Sequence, residues 1–127
     1  MCKGGVFLRE KTRTTSKTTK SAKSYPNNPF AKQLKTTAEF INSKLDTKVY
    51  YVSMGGFDTH ANQANRQARL LKTYSEAMEV FVDDLEASDS FKDTLILTFS
   101  EFGRRVQQNA AAGTDHGAAN NLFIVGK

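Results

Sequence analysis

The chain has 127 residues, 39% of them apolar, and a single cysteine, Cys2. That length suffices for one domain with a core, and one cysteine excludes an internal disulfide. No apolar stretch approaches the roughly 18 residues that cross a membrane, and MCKGGVFLRE has too short an apolar region for a signal peptide. The formal charge of +5 is local: residues 1–24 hold seven of the 18 Lys and Arg and one acid, Glu10, while 25–127 hold 11 basic and 12 acidic residues.

The opening segment, 1–24, includes REKTRTTSKTTKSAKS and is rich in Ser, Thr and Lys without apolar periodicity. It buries too little surface to offset its ordering entropy, so a flexible basic tail is expected. A nucleic-acid-binding arm would combine such charge with aromatic residues or a basic face elsewhere. The stretch REKTRTTSKTTKSAKS has no stacking aromatics, and residues 25–127 are close to neutral, so a solvated linker is the better reading. A start without a strand suggests a piece of a longer protein.

Asn28-Pro29 is a helix opening, since Asn caps free N–H groups and Pro at the first position needs no donor. Phe30, Leu34, Ala38, Ile41 and Leu45 then recur at helical spacing, which predicts a helix over 29–45. KVYYVSM, 48–54, reads as a strand buried on both faces, ended by Gly55-Gly56. Residues 61–87 form an amphipathic segment with Leu70, Tyr74, Ala77 or Met78, Phe81 and Leu85 on its inner stripe. DTLILTF, 93–99, is the next strand. Residues 105–120 read as a loop, and NLFIV closes with a last strand. Strand, helix and strand in this order imply a parallel crossover and an α/β domain.

In open α/β sheets, ligands bind beyond the carboxyl ends of the strands. Asp58 and His60, in GGFDTH, follow the first predicted strand; Ser100 and Glu101 follow the second. Parallel strands would place both clusters at one edge. His60 and His116 are the chain's two histidines, and each has an aspartate close by: Asp58-Thr59-His60 and Asp115-His116. Carboxylate and imidazole together suit zinc, manganese or iron. The spacing alone is weak, and an Asp before a helix often serves as an N-cap. His116 precedes the last strand, so to join the others it needs that strand antiparallel or the 105–120 loop folded back; the antiparallel strand is the expectation. Arg104 or Arg105 can clamp a phosphate or sulfate through the guanidinium fork. The competing reading is a salt bridge to Glu101 or a surface charge.

GGFDTHANQ, TFSEFGRRVQQNAAAGTDHG and the YPNNPFAKQLKTTAEFI helix together resemble the bacterial family called domain of unknown function fifteen-oh-one, over about 25–127. That family is sulfatase-like, within the alkaline phosphatase superfamily. The resemblance implies a three-layer α/β/α fold with a mostly parallel sheet, of which this chain is a C-terminal segment. It also implies an exported or periplasmic bacterial parent acting on small anionic phosphate or sulfate esters with divalent metal, zinc foremost. It makes Asp58, His60 and His116 ligands of one metal and Glu101 a further carboxylate ligand or base. Arg104 becomes a contact to the developing oxyanion. Ser100-Glu101-Phe102-Gly103 stands where many members read Ser-Asp-His-Gly, and Phe102 cannot ligate, which weakens a two-metal site. The superfamily's nucleophile lies upstream of the matched region, and neither Cys2 nor Thr14 has its context. A module that keeps the fold without turnover is the alternative.

Overall fold

Asn28 caps the first helix: its side-chain oxygen accepts the Ala31 N–H at 2.8 Å, with Pro29 at the first position. Helix α1 runs Pro29–Asn42, stopping short of Leu45. The chain leaves it through Lys44, at φ 53, with the Lys44 N–H bonded to the Ile41 carbonyl at 2.9 Å. Helix α2 spans Gln63–Ala87 and exits the same way through Asp89, at φ 56. A 3₁₀ turn, Phe91–Asp93, precedes strand β1, Ile96–Phe99; strand β2 is Leu122–Val125. The computed structural model describes residues 18–127. Most of the expected tail therefore lies outside the described residues. Among those described, no helix is long and apolar enough to cross a membrane.

The described chain divides into two compact units. The first takes in residues up to Met54 together with Glu76–Ser90. Its buried apolar side chains are Phe30, Ala31, Leu34 and Ala38 of α1, and Ala77, Phe81 and Leu85 of α2. All but Ala31 lie on the stripes that helical periodicity selects, while Ile41 and Leu45, at the end of the first stripe, are only half-buried. Asp84, only 5% exposed, is satisfied by donors from three directions: the Ser21 hydroxyl, the Tyr25 hydroxyl at 2.9 Å and the Asn42 amide at 3.5 Å. A buried carboxylate needs such partners to offset its lost hydration. Through Ser21, and through the Thr19 N–H bonded to Ser43 Oγ at 2.8 Å, residues 18–24 are tied down although they form no helix or strand.

KVYYVSM does not form a strand: residues 48–54 carry no regular structure, and Val49 and Tyr51 are exposed. β-branched and aromatic composition favours an extended chain but supplies no ladder partner, and among the described residues none pairs with this stretch.

The second unit comprises Gly55–Ser75 and Phe91–Lys127. In it β1 and β2 pair antiparallel, Ile96 opposite Val125 and Phe99 opposite Leu122. Tyr74 and Thr98 join α2 to β1 through a 2.8 Å hydroxyl–hydroxyl bond. Leu97, Phe99 and all four residues of β2 are exposed, because a two-stranded ribbon has no second layer to cover it.

Candidate metal centre

The expected loop 105–120 is a folded-back extension of the β1–β2 ribbon. The Arg104 N–H bonds the Ala119 carbonyl at 2.7 Å, and the Ala119 N–H returns to Arg104 at 2.9 Å. Arg104 also bridges His116, and the Gly117 N–H reaches the Gly103 carbonyl at 3.0 Å. This brings His116 back toward the GGFDTH segment. At the loop's far end Asn109 accepts the N–H groups of Ala111 and Gly113, each at 3.0 Å. The carbonyls of Ala111 and Ala112 then accept the N–H groups of Asn62 and Gln63, at 2.9 and 3.0 Å. The start of α2 is thus capped by the loop, and Asp58 does not act as its N-cap.

Asp58, His60 and His116 come together, their donor atoms all within 4.8 Å of one another. Asp58 Oδ1 lies 3.0 Å from His60 Nε2 and 2.8 Å from His116 Nε2. The two imidazole rings are tilted by 35° with centroids 5.1 Å apart. All three side chains are exposed, so the cluster opens to solvent. On the other side of His60, Nδ1 sits 3.3 Å from Asp115 Oδ1. Asn109 donates to that same carboxylate oxygen at 3.1 Å and to the His60 carbonyl at 3.0 Å. The hydrogen bond from His116, with His60 adding its charge, holds the Asp58 carboxyl below the usual aspartate range. His60 and then Asn109 do the same for Asp115.

Arg104 is not the open anion clamp expected of it, nor does it pair with Glu101. Its side chain is 19% exposed, and its guanidinium is directed at backbone oxygens. Nη1 donates to the Thr59 carbonyl at 3.0 Å and to the Thr114 carbonyl and hydroxyl; Nη2 donates to the Phe57 carbonyl. A planar fork can reach acceptors on two strands of chain at once. Here it grips the residues on either side of Asp58 and the residue just before Asp115. Asp58 itself is 3.9 Å away. Thr59, 3% exposed, completes the pin by accepting the Gln67 amide at 2.7 Å, and Gln63 accepts the Thr114 hydroxyl at 3.0 Å.

Glu101, expected as a fourth ligand or a base, is exposed and outside the three-residue cluster. Ser100 turns inward on its own segment, donating to the Phe102 carbonyl at 2.8 Å. Phe102 stacks on His116, centroids 4.6 Å apart and 18° from parallel, and Arg104 lies 5.2 Å from the centre of its ring. A ring that cannot ligate therefore buttresses a residue that can. Only Gly56 of the glycine pair needs to be glycine, at φ 102; a side chain at Gly55 would meet open space. Asp115, Asn109, Gln63 and Gln67 had no signal beyond Asp115's place beside His116, because they act through contacts distant in sequence.

A family model described as a protein of unknown function (DUF1501) matches residues 6–126, and the chain belongs to that family. Neither the curated proteins nor the solved structures contain a match to it.

Proposed function

We propose that this chain carries part of the metal centre of a hydrolase acting on phosphate or sulfate esters, within a sulfatase-like α/β/α architecture. The observation that carries this reading is the convergence of one carboxylate oxygen and two imidazole nitrogens within 4.8 Å. That donor set fits zinc, and also iron or manganese. Three protein donors on an exposed cluster leave room for a further ligand, as in catalytic rather than structural sites. A divalent cation held there would supply Lewis acidity toward an ester oxygen. Asp58, His60 and His116 would hold it, and Phe102 would shield one face of His116 from water. Arg104 would keep the two ligand-bearing segments in register. The nucleophile is not assigned to any residue of this chain.

The test is metal content. The 127-residue chain and its His60→Ala and His116→Ala variants, purified and exposed to zinc, are expected to differ: near-stoichiometric retention in the first, loss in both variants. Absence of retained metal in the unmodified chain would sink the ligand assignment. A screen of aryl phosphates and sulfates on a protein containing the full domain then separates hydrolysis from binding alone.

A binding module without turnover is the second reading. It is favoured by the bonds of Arg104 Nη1 and Nη2 to backbone oxygens, which leave less of the guanidinium for an oxyanion contact. Metal retention without ester cleavage would support it.

A further inference from the structure

We infer that Asp115 is the positioning carboxylate of His60: through Nδ1 it turns the imidazole so that Nε2 faces Asp58 and His116 as the metal-binding atom. This deepens the proposed metal-centre reading and rests on it. Three observations carry it. His60 Nδ1 is 3.3 Å from Asp115 Oδ1 while Nε2 is 3.0 Å from Asp58 Oδ1, so the two ring nitrogens face different carboxylates. Asn109 holds Asp115 Oδ1 at 3.1 Å and the His60 carbonyl at 3.0 Å, so the carboxylate and the histidine it faces share one clamp. Asp115 lies outside the three-donor cluster, which leaves it free of the first role.

The physical chemistry follows from the imidazole. A neutral ring has one N–H and one lone pair. A carboxylate at Nδ1 favours the N–H there, which leaves the lone pair on Nε2 and raises its basicity toward a cation. Asp115 also fixes the ring's rotation, which an exposed histidine would otherwise sample freely. It does not touch a reacting group, so its effect runs through His60.

The experiment uses the full 127-residue chain loaded with zinc. Zinc affinity is measured by competition with a chromophoric chelator for the unmodified chain, Asp115→Ala and Asp115→Asn. The expected loss is about 10- to 100-fold for Asp115→Ala, and a smaller loss for Asp115→Asn, which keeps the shape without the charge. Should Asp115→Ala fail to fold, the Asn variant carries the comparison. Nitrogen-15 spectra of the histidine rings give the readout that a merely structural role would not move. In the zinc-loaded chain His60 should ligate through Nε2 and show an exchange-protected Nδ1–H; that protection should disappear in the Ala variant. Unchanged zinc affinity in both variants, or ligation through Nδ1, overturns the inference and leaves the metal centre standing. Zinc that binds none of the three proteins overturns both.

Discussion

Arg104 Nη1 and the Thr59 carbonyl, 45 positions apart in sequence, are joined by a 3.0 Å hydrogen bond. With the bonds to Phe57 and Thr114, this makes one side chain the fastening between the segment that bears Asp58 and His60 and the segment that bears Asp115 and His116. Replacement by Met keeps much of the volume but strands several carbonyls beside the buried Thr59 and Thr114. A destabilisation of about 3 kcal/mol is expected, read from urea unfolding, together with loss of zinc retention. Arg104→Lys should recover little, because an ammonium cannot span both acceptors. An Arg104→Met protein as stable as its parent would refute the fastening role.

Gly113 is set by space. A Cβ at this position would stand 2.2 Å from the His60 carbonyl carbon and oxygen, backbone atoms that cannot rotate away. Gly113→Ala should cost more than about 2 kcal/mol and displace the loop from His60. Gly55→Ala, with nothing within 4 Å, is the matched control and should be close to neutral. Equal melting temperatures for the two variants would contradict this account.

Tyr25 predicts an alkaline limb. Burial, then its hydrogen bond to Asp84, raises the Tyr25 hydroxyl far above the ordinary tyrosine range. The folded chain keeps a proton that the unfolded chain releases near pH 10. Stability from this group is thus complete below about pH 10 and declines as pH rises further. Tyr25→Phe should flatten that decline while costing about 1–2 kcal/mol at neutral pH for the lost bond to a buried carboxylate. The tyrosinate absorbance that the substitution removes should appear only with unfolding. Ionisation of Tyr25 near pH 10 in the folded protein would disprove the assignment.

Zinc should raise the stability of the second unit by mass action, about 2.7 kcal/mol when free zinc is a hundred times its dissociation constant. The gain should fade on acidification, because imidazole ligands must be neutral to bind. His116→Ala should abolish it. Thermal unfolding near neutral pH that is blind to zinc would count against the site.

The helices were legible because their signals are local: the Asn28 cap, and the spacing of Phe30, Leu34 and Ala38 or of Ala77, Phe81 and Leu85. Asp58, His60 and His116 are legible as ligand types; for His116 the expected route is the antiparallel last strand, and the antiparallel pairing of β2 with β1 and the doubled-back loop are both present. The role of Arg104 was not. Its acceptors are main-chain oxygens, which every residue has, so no side-chain pattern announces them. KVYYVSM misled for the opposite reason: its composition is that of a strand, but a strand is defined by its neighbour. Asp84 escaped notice because a charged residue on a helix reads as solvent-facing until its partners, Ser21, Tyr25 and Asn42, are seen.

The carbonyls of Ala111 and Ala112 on the first N–H groups of α2 have a dynamic consequence. The loop cannot lift away without baring the first N–H groups of the helix, and the helix start cannot fray without releasing the loop. The amides of Asn62, Gln63 and Gly113 should therefore exchange with deuterium as one cooperative set, at one opening free energy. The corner that bears His60 and Asp115 should thus open and close as a unit rather than residue by residue.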